Sequence, residues 1–229
     1  LMAGNLGTNT KLRKSGSSSA LKMYVKDMDR NQSIEQIIAY KRDEDWFVLA
    51  SKEELGKQIP SIVNRRFTDY KAFAGKTFGQ VFSEKDLDSA EVRQVDKFES
   101  VWLENTGKGK FRVHDLPMLA QVSKVYSFLV EDLNADGHLD VLLGGNLTGV
   151  NTYQGRYDGS YGLLLAGNGQ GGFRPLLPAE SGVLLNGQVR HIRKLKTARG
   201  ELYLVARNNL PLQVLRRASS DGSGNPKPL

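Results

Sequence analysis

The sequence has no cysteine, only three histidines, and no apolar run approaching the ~20 residues of a membrane-spanning helix. The first absence removes disulfide staples and Cys-based zinc sites. His114, His138 and His191 each stand apart from any Ser that could serve as a nucleophile, so no nucleophile–base pair is written locally. No glycine-rich phosphate loop opens a helix, and no signal peptide heads the chain. The opening LMAGNLGTNT reads as mid-domain text, so the sequence is expected to be the C-terminal piece of a longer precursor. Lys and Arg number 32 against 25 Asp and Glu, a net charge of +7. The basic residues are scattered, with short clusters at Arg65-Arg66, His191 to Lys196 and Arg216-Arg217. That pattern is a solvated basic surface and not a nucleic-acid stripe.

What is present centres on YSFLVEDLNADGHLDVLLGGN, from Tyr126 to Asn146. Asp132, Asn134, Asp136 and Asp140 fall around Gly137 so that a tight loop can turn several hard oxygens onto one point, a donor set suited to Ca2+. The frame resembles the first nine positions of an EF-hand loop. Position twelve, however, is Leu143 and not the bidentate Glu that such a loop needs. The flanks alternate as strands do, so the loop is read as joining two β-strands, with His138 offering its backbone carbonyl. A plain Asp/Asn/Gly turn is the alternative. A second loop, DMDRNQSIE, places Asp27, Asp29, Asn31, Ser33 and Glu35 in the same frame, with Gln32 where the first loop has Gly137. Gln32 must then take a positive φ that such a residue disfavours.

A repeat runs through the chain. Leu103-x-Asn105-x-Gly107-x-Gly109-x-Phe111 recurs as Leu165-x-Gly167-x-Gly169-x-Gly171-x-Phe173, each copy a strand, a glycine turn and a new strand. Gly145-Asn146 has counterparts in Gly4-Asn5 and Arg207-Asn208, and the third unit's KTARGEL, residues 196 to 202, lacks carboxylates and is expected to be metal-free. Between the repeats, Ser51-x-x-Glu54 opens a helical face of Leu55, Ile59, Ile62, Val63, Phe67 and Tyr70, interrupted at Pro60. Ser83-x-x-Asp86 opens a second helical stretch toward Val95. The aromatics Phe67, Tyr70, Phe73, Phe78 and Phe82 either pack on the strands or line a groove.

The acidic loop is similar to the calcium loop of FG-GAP or VCBS repeats, the blades of integrin-type β-propellers. Residues 58 to 78 and 144 to 173 resemble the C-terminal part of large VCBS-repeat proteins secreted by Bacteroidetes-type bacteria, and the resemblance covers about residues 1 to 216. It implies a mainly β fold of propeller-like antiparallel blades, a partial propeller with a small α-helical insertion. The expected divisions are a blade portion at 1–50, the insertion at 51–98, two blades at 99–217 and a flexible tail at 218–229. The implied function is a secreted, periplasmic or cell-surface calcium-binding scaffold for a protein or glycan ligand, without catalysis of its own. An accessory or partial domain of a calcium-dependent carbohydrate-active enzyme is the other reading. Further blades of a parent protein, or a homo-oligomer, would cover open sheet edges. Tyr153, Arg156, Tyr157, Asp158 and Tyr161, in a Gly-rich loop after the main strand, are the candidate ligand-binding residues.

Overall fold

A computed structural model describes residues 1–12, 21–151 and 154–217; Tyr153 and the tail 218–229 lie outside the described residues. The fold is mainly β, with four antiparallel sheets among the described residues, none of them closed. The chain groups into two compact units, Leu1–Lys11 with Phe98 onward, and Leu12–Lys97. In chain order the first strand, β1 (Met2–Ala3), belongs to the former and everything from β2 to β5 to the latter. Among the described residues, no helix is long and apolar enough to cross a membrane.

Within residues 12–97, β2 (Leu21–Lys26), β3 (Glu35–Arg42), β4 (Asp45–Val48) and β5 (Glu91–Val95) form a sheet in the order β4-β3-β2-β5. β3 alternates: Glu35, Ile37 and Ala39 point inward while Gln36 and Ile38 point out. Helix α1 (Lys52–Gln58) starts with the expected capping box, Ser51 Oγ accepting from the Glu54 amide at 3.2 Å while Glu54 Oε2 accepts from the Ser51 amide at 2.8 Å. Pro60 is tolerated because it opens a new helix, α2 (Pro60–Arg66), where its missing N–H has no partner to lose. Short helices α3 (Tyr70–Phe73), α4 (Phe78–Val81) and α5 (Glu84–Leu87) follow. Leu55, Ile59, Val63 and Phe67 bury one face of the helix pair with Phe78, Val81 and Phe82 against Ile37 and Ala39. The acidic-loop hairpin and the helical segment therefore share one core. Of the aromatics, Phe67, Phe78 and Phe82 are buried, Phe73 packs on that core and Tyr70 is exposed.

One expectation is corrected here. The helix begun at Ser83 does not run toward Val95; it stops at Leu87, and residues 91–95 are a strand paired with β2. Ser89 takes φ +59, which ends the helix, and the exposed strand Glu91 to Val95 fills the free edge of β2.

In the other unit, β6 (Val101–Gly107) and β7 (Lys110–Asp115) extend β1 into a three-stranded sheet. A 3-10 turn at Met118–Gln121 leads to β8 (Val125–Glu131), β9 (Asp140–Gly145), β10 (Leu163–Gly167) and β11 (Phe173–Leu176), a four-stranded meander in which spatial order follows chain order. A single turn, α6 (Pro178–Ser181), precedes β12 (Gln188–Thr197), β13 (Gly200–Asn208) and β14 (Gln213–Leu215), a second three-stranded meander. Every residue of β9 is buried. Val141 and Leu143 face a cluster with Val125, Leu163 and Leu165, while Leu142 faces Leu185, Val189 and Ile192. Two covered faces explain why this strand reads as an unbroken apolar run. Where it ends, glycine is required: a Cβ on Gly145 would lie 1.6 Å from the Lys124 carbonyl oxygen, and one on Gly144 would lie 2.8 Å from the Val189 side chain.

Candidate metal centre

The two acidic loops fold alike because the side chains that begin each loop capture the amides that end it. Asp27 accepts from the amides of Asn31 at 3.0 Å and Gln32 at 2.9 Å; Asp132 accepts from those of Asp136 at 3.2 Å and Gly137 at 3.0 Å. Asn31 accepts from the Ser33 amide at 2.7 Å, as Asp136 does from that of His138 at 2.8 Å. At position nine Glu35 accepts from the Met28 amide at 2.7 Å and Asp140 from the Leu133 amide at 2.9 Å. The backbone follows suit, with φ +60 and +73 at Arg30 and Gln32 against +64 and +87 at Ala135 and Gly137. Each loop bridges two paired strands, β2–β3 or β8–β9.

Their carboxylates differ. Among the described residues, Asp27, Asp29 and Glu35 are the group whose ligand oxygens all lie within 4.8 Å of one another, an arrangement that could hold a metal ion. Asp29 Oδ2 accepts from Ser61 Oγ at 3.3 Å, while its Oδ1 is buried with no hydrogen-bond partner. Burial raises the Glu35 carboxyl above the ordinary carboxylate range; the Met28 amide opposes the rise, and the negative charges of Asp29 and Asp27 add to it. An orphaned buried oxygen beside two further carboxylates is the donor set a hard cation neutralises.

The 132–140 loop captures the same backbone amides but has no carboxylate at position three. Asn134 stands at position three in place of an acid; it accepts from the Asp136 amide at 2.9 Å and donates to Asp136 Oδ2 at 2.9 Å. The Asp136 carboxyl is held low, chiefly by the His138 amide and then by Asn134. Asp140 is fully buried, and the His138 ring lies against Gly169, where an added Cβ would come within 2.5 Å of Nδ1.

The Gly-rich loop divides. Tyr157 is buried, its backbone paired with Leu147 and its hydroxyl 3.2 Å from Thr10 Oγ1, so it is a packing residue. Arg156, Asp158 and Tyr161 are exposed. Sequence reading missed Ser61, which reaches Asp29 from α2.

Because Gln32 holds φ +73 on an exposed loop, Gln32→Gly should stabilise the metal-free protein by about 0.5–1 kcal/mol, measured by urea denaturation in EGTA. A loss of stability would show that the Gln32 side chain makes a favourable contact outweighing its backbone strain. Compared with models of protein families, with curated proteins and with solved structures, the chain matches none of them.

Proposed function

We propose that this chain is a calcium-stabilised binding module of the FG-GAP/VCBS propeller-blade kind, acting outside the cytoplasm as a scaffold for a protein or glycan ligand. The observation that carries the reading is the Asp27, Asp29 and Glu35 triad with its unpartnered buried Asp29 oxygen. The shared frame of the two loops and the meander order of β8 to β11 support it. Asp27, Asp29 and Glu35, with Asn31 beside them, are the groups that would hold the ion, and its double positive charge would offset their mutual repulsion. Without it the triad is a source of strain at the end of the β2–β3 hairpin; with it the loop becomes a crosslink between those strands. Asp132, Asp136 and Asp140 form the second candidate loop.

A ligand that binds only the folded state stabilises it by about 2.7 kcal/mol at one hundred times its dissociation constant, or roughly 5–10 °C in Tm for a chain of this size. The expected result is a calcium-specific rise in Tm over EGTA, absent with magnesium, and lost in Asp29→Ala. In EGTA that substitution should leave Tm unchanged or raise it, because it relieves Glu35. No shift at millimolar calcium would overturn the metal reading.

A further inference from the structure

Two β-bulges bring Arg190 against Tyr126, and no carboxylate among the described residues pairs with Arg190 or with nearby Lys124. The β8–β9 ladder skips a residue between Val125 and Ser127, and the β12–β13 ladder skips one between Val189 and His191. The skipped residues, Tyr126 and Arg190, are turned out of their ladders, as bulged residues are. They meet: the Arg190 guanidinium carbon lies 4.3 Å over the Tyr126 ring. Arg190 is further fixed by donating from Nη1 to the Asn146 carbonyl at 2.9 Å and the Val189 carbonyl at 3.2 Å, and from Nη2 to Gln188 Oε1 at 2.8 Å. Immediately before β8, half-buried Lys124 carries its ammonium 5.0 Å from the centre of the buried Tyr157 ring. Burial and then the nearby Arg190 charge lower the Lys124 pKa, and no carboxylate among the described residues offsets them.

A half-buried ammonium costs free energy unless an anion completes it. The backbone of Asn146 links Lys124 to a guanidinium already held in place, the Asn146 amide donating to the Lys124 carbonyl at 2.9 Å and its carbonyl accepting from Arg190 Nη1 at 2.9 Å, so little ordering remains to be done when an anion arrives. We infer that Lys124 and Arg190, framed by Tyr126 and Tyr157, form a carboxylate-binding site for an acidic saccharide, a uronate. The saccharide is favoured over an acidic peptide by Tyr126 and by the loop that carries Tyr157. Tyr126 and Tyr161 expose ring surface, and Arg156 and Asp158 stand exposed on the loop that Ser123 Oγ ties down by donating to the Tyr157 carbonyl at 2.8 Å. Rings and hydroxyl-binding groups suit a sugar. A peptide added as a further strand would need a free strand edge here, and the edges of β8 and β12 lie against each other, with the Ile192 amide donating to Ser127 Oγ at 2.9 Å. The choice of a saccharide rests on the binding-module reading above; the anion site does not depend on the metal.

The test is calorimetric titration of the whole chain, in EGTA, with trigalacturonate, neutral galactotriose and a Glu-rich hexapeptide. Trigalacturonate should bind, the neutral sugar and the peptide should not, and Lys124→Met should weaken binding about tenfold or more while Tm without ligand holds or rises. Arg190→Lys, which keeps the charge but not the planar fork, should also weaken it. No uronate binding, equal binding of the neutral sugar, or undiminished binding by Lys124→Met overturns the site. Tighter binding of the peptide overturns the saccharide assignment. Because the titration runs in EGTA, uronate binding without any calcium shift in Tm would sink the metal reading alone.

Discussion

Asp140→Ala should destabilise the protein by about 4 kcal/mol in EGTA, the largest effect expected of any single carboxylate here. The side chain is fully buried; its Oδ2 accepts from the amides of Leu133 at 2.9 Å and Asn134 at 3.1 Å, and its Oδ1 from that of Gly167 at 3.0 Å. One carboxylate thus closes its own loop and ties it to β10. Removing it strands amide donors at a position shut off from water, and each unsatisfied buried donor costs about 1–3 kcal/mol. Asp140→Asn keeps the shape but aims an NH2 group at other donors, so it should cost about half as much or more. Urea denaturation in EGTA separates this from metal binding. Asp136 is exposed, and Asp136→Ala should cost almost nothing in chelator. A loss below about 1 kcal/mol for Asp140→Ala would show that solvent reaches these amides and that the loop is not anchored by its ninth residue.

Asn146→Ala is the second large effect, at about 3 kcal/mol. Asn146 is buried at φ +79, a conformation that costs Ala about 1 kcal/mol more than Asn. Its Nδ2 donates to the Ser160 carbonyl at 2.6 Å and the Gly187 carbonyl at 3.1 Å, and its Oδ1 accepts from the Ser160 amide at 3.1 Å. The side chain therefore joins the end of β9 to the loop before β10 and to the approach to β12. Asn146→Gly removes the same bonds but not the freedom of φ, so it should lose less than Ala. Should Gly and Ala cost the same, backbone strain has no part in the role of this residue. Of the related positions proposed from the repeat, neither Asn5 nor Asn208 has positive φ; Asn209 does, at +56. The Gly-Asn signature thus marks strand ends without imposing one conformation.

The local elements were legible where one short stretch held all the information. The loop at 132–140 and its flanking strands follow from Asp and Asn capturing amides a few residues on, and α1 follows from the Ser51 capping box. The strand at Glu91 was not legible as such, because its partner β2 lies far back in the chain and only the pairing decides between a short helix and a strand. Tyr157 read as a candidate ligand-binding residue from its glycine-rich neighbours, yet it is buried, with Thr10 on its hydroxyl and Leu147 on its backbone.

For the site, the spacing of donor residues determined that two loops would share one frame, since those hydrogen bonds are made within nine residues. Which loop gathers three carboxylates was decided by tertiary structure. Glu35 is desolvated by the core under β3, Ser61 arrives from α2, and one Asp29 oxygen is left without a partner. The same holds for Lys124 and Arg190, which the backbone of Asn146 joins where β9 meets the approach to β12. Hydrogen bonds over a few residues are fixed by the order of side chains, whereas burial and the meeting of distant charges are set by how the sheets pack, and those are what make a carboxylate or an ammonium wait for a partner.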